Sequence, residues 1–181
     1  MSGDLRLRPA VRALVMDRDR RVLLVHFNFE DPALPTGLWA CPGGGVDPGE
    51  TYADALRREL REELGLVLEA ADVGEPIWFK EHEFEMGGMG GWDGQADTFY
   101  FVEVDAFEPA PHFTKAELRA EHLDDLRWWT WAELREAQRR QDSGDLTHPA
   151  YVTLSPRSLV HLLEDLMTHG HPLEPRRLDP L

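Results

Sequence analysis

Between Thr51 and Gly65 the chain carries a stretch whose pattern suits only one backbone geometry. Ala53, Leu56, Leu60 and Leu64 recur at the spacing of a helix face while charged residues fill the other sides, so residues 52–64 are expected to form an amphipathic helix. Thr51 followed three residues later by Asp54 is a capping pair for its start, and Gly65 supplies its stop. The leucine face then requires a partner layer to cover it.

The flanks supply that layer. Residues 11–16 and 22–27 read as strands joined by the charged turn Asp17-Arg18-Asp19-Arg20, and residues 38–40 as a short strand leading into glycines. Strands are expected at 77–84 and 98–104, joined by a long loop at 85–97 that holds five glycines. Helices are expected at 131–140 and 155–167, followed by a Pro-rich, loosely held tail from Gly170. Strands before and after a central helix, with more helices behind, predict an α/β or α+β fold in which helices cover a mixed sheet. The main domain is placed at 5–146, with a C-terminal helical extension and tail at 147–181.

The 34 acidic residues outnumber the 19 basic ones, giving a net charge of -15, which disfavours binding to long nucleic acid. Small phosphorylated substrates remain compatible if divalent cations neutralise both sides. The single cysteine, Cys41, excludes an internal disulfide and a cysteine-based zinc cage, and is expected to be a small buried hydrophobe. Residues 1–8 lack a continuous apolar run, and no stretch approaches the ~18 apolar residues of a membrane span, so the expectation is a cytoplasmic protein without membrane contact.

On the helix, Glu59, Glu62 and Glu63 stand at i, i+3 and i+4, which gathers three carboxylates into a sector of roughly 100°. Like charges so placed destabilise a helix unless hard cations such as Mg²⁺ sit among their oxygens. Glu50 and Arg58 can brace the preceding loop against the helix through a charge-assisted bond. The glycines of residues 42–45 let the backbone come close enough to offer a carbonyl ligand.

Gly44, Glu50, Arg58, Glu59, Leu60, Glu62, Glu63, Gly65 and Leu66 match every fixed position of G-x5-E-x7-R-E-U-x-E-E-x-G-U, where U is a bulky aliphatic residue. On these residues the chain resembles the Nudix hydrolase family. Residues 37–44 look like the family's approach to this box, and Leu126-Arg127-Trp128-Trp129 like its later tryptophan segment. The resemblance implies an α/β/α sandwich with a mixed central sheet, and a box that binds Mg²⁺, with Mn²⁺ as a possible substitute. It places Glu59, Glu62 and Glu63 on the metal-binding glutamates, Arg58 and Glu50 on the bracing pair, and Gly43 or Gly44 on the carbonyl ligand. The reaction it implies is attack of water on a diphosphate phosphorus.

The family often takes its general base from a glutamate outside the box. Here Glu121 is the first choice, with Glu117 and Glu103 as alternatives. Trp92, His82 and Phe27 are the candidates for contact with the substrate. The implied substrate is a nucleoside diphosphate linked to another group, preferably a nucleoside triphosphate or a dinucleoside polyphosphate. ADP-ribose or a nucleotide sugar, or a non-catalytic nucleotide-sensing role, are the alternatives. The acting unit is expected to be a monomer or a homodimer.

Overall fold

The computed structural model describes residues 5–29, 34–83 and 90–179. Phe84, the expected end of a strand, and residues 85–89 of the expected loop lie outside them. The first half forms β1 (Leu7–Asp17), β2 (Val22–Phe27), β3 (Leu38–Ala40), α1 (Tyr52–Leu64), β4 (Pro76–Glu83) and β5 (Gly94–Val104). The second half adds α2 (Lys115–Ala120), β6 (Leu123–Trp129), α3 (Trp131–Ser143), β7 (Thr153–Ser155), α4 (Leu159–His169) and β8 (Arg176–Leu178).

β1 outruns its expected 11–16 because both of its edges are occupied. On one side β5 runs parallel to it, from Leu7 opposite Gly94 to Asp17 opposite Val104. The expected start of β5 at residue 98 is therefore too late. Gly94, a loop signal in the sequence, is a close-approach position in the strand: a Cβ there would stand 2.3 Å from the His82 carbonyl oxygen and 2.8 Å from Leu7 Cδ2.

The other edge of β1 is shared between two partners. β2 pairs with it only beside the turn, at Val15–Leu23 and Met16–Val22, and then continues beside β3. The edge so freed on β1 takes up the glycine-rich segment. Val11 N–H donates to Gly44 O at 2.9 Å, Ala13 N–H to Pro42 O at 2.8 Å, and Val46 N–H to Pro9 O at 2.9 Å. The loop is thus held as a substitute strand in the split between β1 and β2.

The sheet order is β7-β3-β2-β1-β5-β4-β8, with β6 antiparallel on the remaining edge of β2. Parallel pairs (β1–β5, β3–β7, β4–β8) and antiparallel pairs coexist, so the sheet is mixed as expected. The tail from Gly170 is not loosely held throughout, because Arg176–Leu178 adds a strand to β4 and Leu178 is buried.

Alternation along β1 sends Val11, Ala13 and Val15 to one face of the sheet and Leu14 and Met16 to the other. On the first face α1 buries Ala55, Leu56, Leu60 and Leu64 completely, with Ala55 rather than Ala53 completing the stripe. The second face is covered by Leu134 and Ala137 of α3 and by Leu159, Leu162, Leu163 and Leu166 of α4. Helices on both faces make this the layered sandwich expected.

Helix ends follow their caps. The Thr51 side chain accepts the Asp54 N–H at 3.1 Å, and Gly65 closes α1 in the left-handed region at φ 70°. α3 runs past the expected Arg140 to Ser143, where Gly144 at φ 70° stops it. α4 begins at Leu159 because Ser155 is already committed to β7. No helix among the described residues is long and apolar enough to cross a membrane.

Leu60 ties α1 to the sheet with no exposed surface. Leu60→Ala is expected to lower the unfolding free energy by about 2–5 kcal/mol in urea titration. Val67→Ala, at a 68% exposed site, should stay within about 0.5 kcal/mol of wild type. Equal effects for the two would refute the assignment of Leu60 to the core.

Candidate functional site

Where α1 passes the glycine loop, the two surfaces touch without intervening side chains. A Cβ at Gly44 would fall 2.6 Å from Glu59 Oε1, and one at Gly43, whose φ is 132°, would fall 2.2 Å from the Val11 carbonyl oxygen. Only glycine permits this approach. It lets the Gly43 N–H donate to Glu63 Oε2 at 2.9 Å.

Glu63 is 4% exposed. Burial pushes its carboxyl up to about 8, and the neighbouring Glu59 adds to the shift, against the Gly43 N–H and Arg12, which lower it. Glu59 is also raised by burial, opposed by its bond to Arg58. Glu50 goes the other way, held below the usual carboxylate range by its hydrogen bond from Arg58.

Arg58 is the hub of the cluster. Its Nε and Nη2 donate to the two oxygens of Glu50 at 3.0 and 2.9 Å, and Nη2 also reaches Gly45 O at 2.9 Å. Its Nη1 donates to Glu59 at 2.7 Å and to Glu62 at 3.2 Å. The expected brace between Glu50 and Arg58 is formed, and the same guanidinium also holds two of the three glutamates expected as ligands.

With Glu59 and Glu62 turned to Arg58 and Glu63 to Gly43, no three carboxylate, imidazole or thiol groups among the described residues converge at metal-ligand spacing. The donor chemistry nevertheless fits a hard cation: only oxygens, close together, two of them on carboxylates that burial disfavours as anions. Swinging Glu59 and Glu62 off Arg58, which keeps Glu50, would present them to an ion. The Gly43 carbonyl accepts Arg12 Nη1 at 2.7 Å and the Gly44 carbonyl accepts the Val11 N–H at 2.9 Å, so each retains one lone pair.

Arg12 was not among the expected site residues. Its Nε pairs with Asp97 at 3.1 Å, and Gln95 Nε2 fixes the same Asp97 oxygen at 2.8 Å. The chain Asp97–Arg12–Gly43–Glu63 runs from β5 through β1 to α1. Arg12 lies in an expected strand, where an inward charge needs a specific partner, but Asp97 fell in the expected loop before β5, so the sequence carried no signal for the pair.

Of the substrate-contact candidates, Phe27 lies with its ring 5.7 Å from Arg12 Cζ, and His82 Nδ1 stands 3.7 Å from Asp97, its imidazole pushed down by burial. Trp92 is half-buried under Arg6, with Cζ 5.5 Å from its ring. Glu121 caps the C-terminus of α2, exposed and near enough for its charge to act on Glu63. Glu117 is committed to the other end of that helix, accepting the Thr114 N–H at 2.7 Å. Glu103 is exposed opposite Met16, beyond the part of β1 that holds the glycine loop. Cys41 is fully buried, its thiol pushed up to about 12 by that burial.

A family model described as NUDIX domain matches residues 6–148. The nucleoside triphosphatase NudI of Enterobacter sp. (strain 638) is 62% identical over 45 residues, 25% of this chain and only 31% of that protein's length. The RNA pyrophosphohydrolase of Erythrobacter litoralis is 28% identical over 142 residues, 75% of this chain and 82% of that one. Among solved structures, the MutT protein from Methanosarcina mazei Go1 aligns with a TM-score of 0.57 at 18% identity, over 93% of this chain and 99% of that one. The NUDIX domain of Shewanella oneidensis NrtR, crystallised with ADP ribose, gives 0.57 at 19% identity over 92% and 91%. At those identities the two structures establish likeness of fold.

A carboxyl that titrates near 4.5 when unfolded and near 8 when folded takes up a proton on folding. Its contribution to stability is therefore present at low pH and lost as pH climbs through that window. Metal-free protein is expected to melt at a lower temperature at about pH 9 than at about pH 6, and Glu63→Gln to shrink that difference. An identical pH dependence in variant and wild type would show that Glu63 is not buried as described.

Proposed function

The chain belongs to the NUDIX domain family, and on that premise we propose that it hydrolyses a phosphoanhydride bond in a nucleoside diphosphate linked to another group, with Mg²⁺ as its cation. The observation that carries this reading is the buried Glu63 beside Glu59. A purely structural helix gains nothing from two carboxylates that their surroundings disfavour as anions, whereas a cation site requires them. The relatives named as a nucleoside triphosphatase and a pyrophosphohydrolase support the same class of reaction.

Glu59, Glu62 and Glu63 would hold the cation, with the Gly43 or Gly44 carbonyl beside them. A bound Mg²⁺ supplies Lewis acidity, drawing electron density from the phosphoryl oxygens and lowering the pKa of water. Arg58 and Glu50 keep the loop fixed against α1 while the ligands turn, and Arg12, anchored by Asp97, sets the Gly43 peptide. Glu121 accepts the proton of the attacking water. The water oxygen bonds to phosphorus, the bridging P–O bond breaks, and its electron pair leaves with the departing phosphate. Phe27, His82 and Trp92 contact the nucleotide. A nucleoside triphosphate or dinucleoside polyphosphate is the preferred substrate.

Incubating the protein with Mg²⁺ and a nucleotide panel in ¹⁸O-labelled water tests this directly. One phosphate product should carry the label; label on carbon, or no product from any nucleotide, would refute the proposal. Glu121→Gln is expected to lower kcat by about 10²–10⁴, and a near-normal kcat would remove Glu121 as the base.

A further inference from the structure

Residues 110–113 are tied to the C-terminal carbonyls of α1: Ala110 N–H donates to Leu64 O at 2.9 Å, and the His112 and Phe113 N–H groups to Glu62 O at 3.0 and 3.1 Å. This anchorage starts α2 beside the glutamate cluster. Lys115 and Arg119, four residues apart, share one face of that helix and line a cleft of about 370 Å³ whose wall also includes Glu63. In a chain with 34 acidic residues against 19 basic ones, neither cation forms an ion pair with another described residue.

No described acid forms an ion pair with either of them, Glu121 at the C-terminus of α2 included, and several of the neighbouring acids are engaged elsewhere. Glu117, between the two on α2, serves as the cap on Thr114. On the opposite wall, Asp124 is held by His26 Nδ1 at 2.5 Å and by Asn28 at 3.3 Å, and Asp125 accepts the Leu126 N–H at 2.8 Å. The cleft therefore presents two positive charges, without acidic partners among the described residues, to whatever lies against Glu63.

We propose that Lys115 and Arg119 form an anion subsite for a phosphate group of the substrate beyond the bond that is cleaved. This rests on the hydrolase reading above and sharpens it. The group linked to the nucleoside diphosphate is itself anionic, as in a nucleoside triphosphate or polyphosphate, and not an uncharged sugar. Charges then alternate across the site, from carboxylates to cation to phosphates to the two side chains of α2. A neutral group would cover Lys115 and Arg119 without replacing their water.

The test uses the full chain and the double variant Lys115→Gln/Arg119→Gln, two exposed positions at which folding is checked by melting temperature. The ratio of kcat/KM for a nucleoside triphosphate to that for a nucleoside diphosphate sugar is expected to fall at least ~10-fold in the variant. An unchanged ratio would overturn the subsite. Calorimetry with inorganic tripolyphosphate and Mg²⁺ supplies a second readout, where wild type should bind at least ~10-fold more tightly than the variant. If neither substrate is hydrolysed, the hydrolase reading fails by itself, and the calorimetry still decides the subsite: equal affinity for both proteins would overturn it.

Discussion

A carboxylate brought into a nearly waterless contact must find compensation, and the contact between Glu63 and the Gly43 N–H offers little of it. One backbone donor and the field of Arg12 oppose the burial and the adjacent Glu59, and they do not win. The rest of the site can be understood as what it takes to keep that group where it is. Glycine at 44 removes the atom that would push Glu59 of α1 away, glycine at 43 the one that would push the loop off β1, and the fully buried leucines of α1 hold the helix down from the other side.

The sheet contributes through a break in its own regularity. Had β2 followed β1 along its whole length, residues 42–46 would have no strand edge to join. Because the pair separates after Val15, the glycine loop is fixed by three backbone hydrogen bonds and gains the rigidity of a strand. β5 then brings Asp97 to Arg12, and Arg12 reaches the Gly43 carbonyl. Two guanidinium groups thus hold the loop, Arg58 from the helix and Arg12 from the sheet. The first sits inside the sequence box and the second does not.

That difference explains how much was legible beforehand. Residues 52–64 carry their period, cap and stop locally, and the helix came out with those boundaries. The Glu50–Arg58 brace was visible for the same reason, since all of its parts lie within one box. Arg12–Asp97 joins residues 85 positions apart, and only the parallel register of β1 and β5 makes them neighbours. The strand β6 was hidden because Asp124 and Asp125 interrupt its apolar pattern, and β7 and β8, three residues each, are too short to show a period. The Gly94 misreading has a similar origin: a glycine that marks a turn and one that admits a neighbouring backbone look alike in a sequence.

The central claim is that this cluster of glutamates exists to exchange a guanidinium for a divalent ion. Anomalous diffraction from crystals soaked in manganese tests it most directly. The account predicts a manganese peak bonded to Glu59, Glu62 and Glu63, with Arg58 still paired to Glu50 but released by the other two. Crystals with no peak there, and with Glu59 and Glu62 still on Arg58 at saturating manganese, would contradict it.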